Sequence, residues 1–97
     1  MQTYTLFRNG HSVEEIAAQR NLVTGTVESH LIECISAGLT VDISKMVSAA
    51  DRKQIENAIA RHGTDKLKPI RESLPEQITY NMIRFVVAEH RLAKTGK

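Results

Sequence analysis

The sequence has few residues of the kinds that cross-link a chain or bind metals. It contains one cysteine, Cys34, and no tryptophan, and aromatic residues make up only 4% of its 97 positions. A single cysteine cannot form an internal disulfide, and because Cys34 lies in a helical pattern we expect it to be a small buried apolar residue. No histidine has a second histidine at helical ligand spacing among His11, His30, His62 and His90, so no metal site is predicted.

Long apolar runs and nucleotide-binding motifs are also missing. No run approaches the roughly 20 apolar residues that span a bilayer, and the N-terminus lacks the pattern of a signal peptide, so we expect a cytoplasmic location and no membrane partner. A Gly-rich loop ending in Lys and Ser or Thr is absent, which excludes ATP hydrolysis by that kind of site. No cofactor is therefore expected in this chain.

Two pairs of residues come closest to a catalytic arrangement. Glu14 and Glu15 are adjacent, so on a helix their carboxylates point about 100° apart and cannot flank one bond. His30 and Cys34 are four residues apart and close enough to touch, but the sequence offers no third group to orient them. We predict no catalytic residue.

What is present favours an all-α fold. A content of 41% hydrophobic and 25% charged residues is typical of a folded globular chain, and its length suits a single helical domain over residues 1–97. Apolar periodicity and capping residues predict a helix-turn-helix part at 3–40, a C-terminal helical bundle at 41–93 and a frayed tail at 94–97. The predicted helices cover residues 3–9, 12–20, 24–37, 42–47, 48–63, 64–74 and 79–92.

The second and third predicted helices have the spacing of a helix-turn-helix. Ser12 and Glu15 form a capping-box pattern, and Thr24 is the expected cap of the next helix after a connection of three or four residues. Val27, Leu31 and Ile35 form a buried stripe with Cys34, which leaves polar and small residues on the open face. That arrangement can place a helix in the major groove of DNA, and the candidate contacts are Gly25, Thr26, Ser29 and His30.

The charges that phosphate binding needs lie mostly outside this pair of helices. Residues 1–40 hold two Arg against four Glu, a net charge of −2, and residues 41–97 hold eleven Lys and Arg against seven Asp and Glu, a net charge of +4. Phosphate neutralisation normally dominates affinity for DNA, so sequence-specific recognition is not expected of the third helix alone. The candidate phosphate contacts are Arg8, Arg20, Lys66, Lys68 and Arg71, with Arg84 and Arg91 as further cations.

Four strings resemble the helicase helix-turn-helix domain of bacterial RecQ-type ATP-dependent DNA helicases: GHSVEEIA at 10–17, TVESHL at 26–31, LKPIR at 67–71 and ITYNMIR at 78–84. The resemblance runs from about residue 3 to residue 88. It implies an accessory DNA-binding module from the C-terminal region of a 3′-to-5′ helicase of repair and recombination. It also implies that the ATPase core, with its ATP and Mg²⁺, lies upstream and that Met1 is an artificial start. Its partners would be DNA and the helicase core of the same chain.

Two other functions and one variant of the fold stay open. TVESHL also resembles the recognition helix of LuxR-type transcription regulators, although that family usually has a basic residue where this chain has Glu28. Residues 41–97 could instead form a protein-docking module, which an exposed apolar stripe around Ile32, Met46 or Met82 would favour. The helix-turn-helix core could also be of the winged type, which carries strands.

Overall fold

The computed structural model describes residues 2–95, and this part of the chain contains helices and no strand. The helices are α1 (Gln2–Arg8), α2 (Val13–Arg20), α3 (Thr24–Ser36), α4 (Ala49–His62), α5 (Lys68–Glu72) and α6 (Tyr80–Thr95), with a single 3₁₀ turn at Ile43–Lys45. The predicted all-α, helix-turn-helix fold is confirmed. The winged variant finds no support, because a wing is a β-hairpin and residues 2–95 form no strand.

The chain divides into two compact units, one ending at Val41 and the other starting at Asp42. In the first unit α1, α2 and α3 all contact one another, and in the second unit α4, α5 and α6 do the same. Each unit is thus a small three-helix cluster. The predicted boundary between the helix-turn-helix part and the C-terminal part lay one residue earlier, between Thr40 and Val41.

Helix α2 begins and ends at residues that suit those positions. The Ser12 hydroxyl accepts from the Glu15 amide at 3.0 Å, and the Glu15 carboxylate accepts from the Ser12 amide at 2.8 Å, which completes the predicted capping box. Asn21 then adopts a left-handed conformation with φ 56° and ends the helix. Asparagine tolerates this conformation better than most residues, so the chain can turn sharply after Arg20.

Helix α3 begins one residue earlier than its capping pattern suggested. Val23 is the N-cap with extended backbone and no side-chain cap, and Thr24 is already the first helical residue. The predicted cap at Thr24 is therefore wrong, because the backbone is still extended at Val23 and is already helical at Thr24. At the other end Gly38, with φ 94°, donates to the Ile35 carbonyl while Leu39 donates to Cys34, which is a Schellman stop.

The buried stripe of α3 agrees with the prediction. Its members are 2% exposed or less: Val27, Leu31, Cys34 and Ile35. Ile32, which lies outside the predicted stripe, is also buried at 6% exposure. The apolar face of α3 is therefore wider than one stripe.

The second unit follows its capping signals at α4 and α6 but not at α5. Ser48 accepts from the Asp51 amide at 3.2 Å and Thr79 accepts from Met82 at 3.2 Å, as predicted for the starts of α4 and α6. Helix α5 starts at Lys68 rather than at residue 64. An earlier start is disfavoured, because Pro69 has no N–H to donate to the carbonyl four residues back and its ring would clash there.

The 3₁₀ turn has a side-chain cap, and the last helix is longer than predicted. Asp42 caps the 3₁₀ turn by accepting from the Ser44 hydroxyl at 2.6 Å and from the Ser44 amide at 3.1 Å, and the hydroxyl bond in particular lowers the pKa of the Asp42 carboxyl. Helix α6 continues to Thr95, three residues past the predicted end at residue 92. Of the predicted frayed tail, residues 94 and 95 are helical and residues 96 and 97 lie outside the described part.

In residues 2–95, no helix combines the length and the apolar character that crossing a membrane requires.

Candidate nucleic-acid interface

The first turn of α3 is open and lined with small polar residues. Gly25, Thr26 and Ser29 are each half-buried, and a side chain built at Gly25 would meet no atom within 4 Å. The preceding Val23 is 71% exposed and does not cap the helix with its side chain. The amides at this end of α3 therefore have no N-cap side chain as acceptor, and the start of a helix attracts anions.

His30 lies at the side of α3 that faces α1. Its Nδ1 atom is 3.4 Å from the hydroxyl of Thr3, which is itself 0% exposed. The same hydroxyl accepts from the Arg20 guanidinium at 2.7 Å. Thr3 thus joins one residue of α2 and one of α3 to α1, and two of the sequence candidates for DNA contact, Arg20 and His30, are partly engaged in holding the three helices together.

Replacing Thr3 by Val is expected to lower the free energy of unfolding by about 1–3 kcal/mol, because hydrogen bonds to charged groups contribute about that much and valine has nearly the same volume. Urea denaturation followed by circular dichroism measures the loss.

Thr40→Val is the matched control, because Thr40 is exposed in the same unit and undergoes the same chemical change. We expect the control to change stability by less than about 0.5 kcal/mol. Equal effects of the two substitutions would mean that the Thr3 hydroxyl does not join the helices.

Arg8 is the other cation of the first unit, and it lies at the C-terminal end of α1. It is exposed, and its guanidinium carbon is 5.8 Å from the centre of the Tyr4 ring. With Arg20 bonded to Thr3, the first unit offers little free positive charge to a phosphate backbone. The net negative charge of residues 1–40 therefore also characterises the folded helix-turn-helix.

Several cations of the second unit have partners within the unit. The Arg52 guanidinium lies 3.0 Å from Glu56 and 2.5 Å from Glu89, and the hydrogen bond to Glu56 in particular raises the pKa of Arg52. Arg84 donates to Asn81 at 3.1 Å, and Arg91 donates to the Thr64 carbonyl at 2.5 Å. The contact of Arg52 with Glu89 fastens α6 to α4, and that of Arg91 with Thr64 fastens α6 to the loop before α5.

The candidate cations Lys66, Lys68 and Arg71 are different. All three are exposed: Lys66 lies in the loop before α5, which Arg91 fastens, and Lys68 and Arg71 lie on α5. None of them forms an ion pair with another described side chain. Arg61, at the end of α4, shares these properties. Arg61 is not among the phosphate contacts predicted from the sequence, because the helix dipole already explains a basic residue in the last turn of a helix.

Cys34 has the environment of a core residue. It is 1% exposed, and burial raises the pKa of its thiol, so the thiol stays protonated at neutral pH. Among residues 2–95, no group of three His, Cys, Asp or Glu side chains is close enough to hold a metal ion.

The exposed apolar stripe that would favour a protein-docking module is not found around Ile32, Met46 or Met82. Ile32 is buried, and Met46 and Met82 are both half-buried. Within the described residues the exposed large apolar side chains are Val23, Leu39 and Tyr80, which lie on different elements. Single exposed apolar residues of this kind are common on soluble proteins and do not by themselves indicate a docking surface.

Comparison with known proteins adds one family and one relative. Residues 1–87 match the family described as a helix-turn-helix domain. The chain is also similar to Protein YpbB of Bacillus subtilis (strain 168), with 32% identity over 88 residues, which are 91% of this chain and 25% of that protein. The chain thus spans about a quarter of the length of this relative. No solved structure matches the chain significantly.

Proposed function

Since the chain belongs to the helix-turn-helix domain family, we propose that it is an accessory DNA-binding domain in which α3 approaches DNA and the second unit supplies the positive charge. The observation that carries the proposal is the open first turn of α3. There Gly25 leaves room for a close approach beside Thr26 and Ser29, and the N-cap side chain accepts from no amide. Amides at a helix start bind phosphate, and short polar side chains reach base edges.

The distribution of charge gives the proposed contact its character. The first unit has few cations, and four exposed cations of the second unit lie close together in the sequence, at Arg61, Lys66, Lys68 and Arg71. Phosphate contacts position a protein on DNA without reading its sequence. We therefore infer weak binding with little sequence preference, which differs from the behaviour of a transcription regulator of the LuxR type.

A titration with DNA tests this function. The chain is added to fluorescently labelled single-stranded, duplex and forked DNA at two salt concentrations, and anisotropy is measured. We expect binding that weakens as salt rises, because counterions released from phosphates drive association. An unchanged anisotropy up to high micromolar protein would overturn the proposal and would favour docking to another protein.

Ser29→Glu is expected to weaken DNA binding about tenfold without unfolding the domain. Ser29 is half-buried at the open face of α3, where a carboxylate would be repelled by phosphate. Anisotropy measures the affinity and thermal denaturation measures the fold.

Ser36→Glu serves as the control, since Ser36 is exposed at the last turn of the same helix and receives the same charge. It should retain most of the affinity. Equal losses in both variants would indicate an effect of net charge alone, and no loss in either would remove α3 from the interface.

The finer proposal is that the domain serves a RecQ-type ATP-dependent 3′-to-5′ DNA helicase of repair and recombination. It is supported by the four strings shared with the helicase helix-turn-helix domain, which are spread over both units. In that role the domain would add DNA contacts to a separate ATPase core, which would bind the ATP and Mg²⁺. Some of its own surface would contact that core.

A fusion tests the helicase assignment. The chain is joined to the C-terminal end of a RecQ-type helicase core, and unwinding of forked DNA is compared with that of the core alone and of a fusion carrying Ser29→Glu. We expect the intact fusion to unwind DNA at lower enzyme concentration than either comparison protein. Equal activity of all three would leave a DNA-binding domain without a helicase role.

A further inference from the structure

The second unit has a polar depression between α4 and the end of α5. It has a volume of about 180 Å³ and is lined by Gln54, Asn57, Ala58, Arg61, Ser73 and Leu74. Four of these residues share one side of α4, because residues 54, 57, 58 and 61 recur at intervals of three and four. The small side chain of Ala58, which is 5% exposed, forms the floor.

The side of α4 that lines the depression is polar. Gln54 is half-buried, Asn57 and Arg61 are exposed, and they place two side-chain amides and a guanidinium beside the end of α5. In the described part of the chain, the side chains of Gln54, Asn57 and Arg61 form no hydrogen bond or ion pair. Their donors and acceptors are therefore available to a ligand.

The remaining wall complements these groups. The Ser73 hydroxyl donates to the Ile70 carbonyl at 2.9 Å, so its oxygen can still accept from a ligand. Leu74 is half-buried and gives the depression one apolar side. The site thus combines a cation, two amides, a hydroxyl acceptor and an apolar surface within a small volume.

We propose that this depression binds one unpaired nucleotide of single-stranded DNA. The inference rests on the DNA-binding function proposed above and names the part of the DNA that the second unit takes. Arg61 would pair with a phosphate, Gln54 and Asn57 would bond to the edge of the base, and Leu74 would pack against its face.

The shape of the site favours an unpaired nucleotide over a duplex. A depression of about 180 Å³ is smaller than the pockets of about 300–1,000 Å³ that hold drug-sized ligands, and it suits a ligand of the size of a single base. Base edges in a duplex lie within the grooves and are reached by projecting helices, whereas an unstacked base can enter a concave site. The exposed Lys66, Lys68 and Arg71 belong to the same unit and could hold the flanking phosphates.

A variant without any charge change gives the sharpest test. Gln54→Ala/Asn57→Ala removes both amides and keeps good helix formers at these positions of α4. We expect affinity for a labelled single-stranded oligonucleotide to fall about tenfold, with the salt dependence unchanged, because hydrogen bonds and no phosphate contacts are lost. Duplex affinity should change by less than twofold.

Arg61→Gln tests the phosphate contact, and Lys53→Gln is its control on the same helix. Lys53 is exposed, does not line the depression and loses the same charge. For single-stranded DNA, Arg61→Gln should reduce the slope of log affinity against log salt by about 0.7, the value of one phosphate contact. Lys53→Gln should leave that slope nearly unchanged.

The outcomes separate this inference from the proposed function. If the intact chain binds DNA but Gln54→Ala/Asn57→Ala binds single strands as well as the intact chain does, the site is wrong and the DNA-binding function stands. If the intact chain binds no DNA, both fail. Free thymidine monophosphate should compete only weakly with the labelled oligonucleotide, even at millimolar concentration. If it displaced the oligonucleotide at micromolar concentration, the ligand of the site would be a free nucleotide and not a DNA strand.

Discussion

Replacing Phe85 by Ala is expected to lower the free energy of unfolding by about 3–5 kcal/mol, the usual loss when a buried phenylalanine is truncated. Phe85 lies on α6, is 0% exposed and is the largest of the fully buried side chains. A small domain is stable by only about 5–15 kcal/mol, so this single substitution removes a large part of the total. Urea denaturation followed by circular dichroism measures the change.

Two further variants show whether the effect comes from core packing. Tyr80 is an aromatic residue of the same helix that is 46% exposed, and Tyr80→Ala should cost less than about 1 kcal/mol. Phe85→Leu keeps most of the apolar volume and should cost clearly less than Phe85→Ala. If Tyr80→Ala destabilised the chain as much as Phe85→Ala, the described position of α6 would be wrong.

The local chemistry of helix ends made much of the fold predictable. Ser12 with Glu15, Ser48 with Asp51, and Thr79 each cap the helix that the sequence assigned to them. These signals act over three or four residues, so a linear sequence contains all the information that they need. For the same reason the stripe of α3 could be identified from its period of four residues.

Features that depend on distant parts of the chain could not be predicted. Thr3 is a polar residue at 0% exposure because its partners Arg20 and His30 come from two other helices, 17 and 27 residues away. Phe85 is buried on α6, a helix that contacts both α4 and α5. Burial on more than one side of a helix is set by the number of its neighbours, which periodicity does not report.

The candidate site was predictable in kind and only partly in its members. The open first turn of α3 follows from the helix-turn-helix spacing, and the exposed Lys66, Lys68 and Arg71 follow from charge counting. The depression on α4 could not be found in this way, because Gln54 and Asn57 are ordinary surface residues until the end of α5 lies beside them. Gln54, Asn57 and Arg61 lie beside the buried stripe of α4 and give no signal of their own in the sequence.

Reversing the charge of two lysine side chains is expected to have the largest effect on DNA binding. Lys66→Glu/Lys68→Glu changes the net charge of the chain from +2 to −2 and places both carboxylates in the exposed segment at the start of α5. If both lysines contact phosphates of a duplex, the slope of log affinity against log salt should fall by about 2, and affinity at low salt should fall by about 100-fold. Fluorescence anisotropy at several salt concentrations measures both quantities.

Lys45→Glu/Lys53→Glu is the matched control, because it produces the same net charge from two other exposed lysines of the second unit. A local phosphate contact and a general electrostatic attraction predict different results for this pair of variants. A local contact requires that the control keep most of the affinity and most of the salt dependence. Equal losses would mean that DNA responds only to the total charge of the chain. In that case the segment around Lys66 and Lys68 would have no special part in binding.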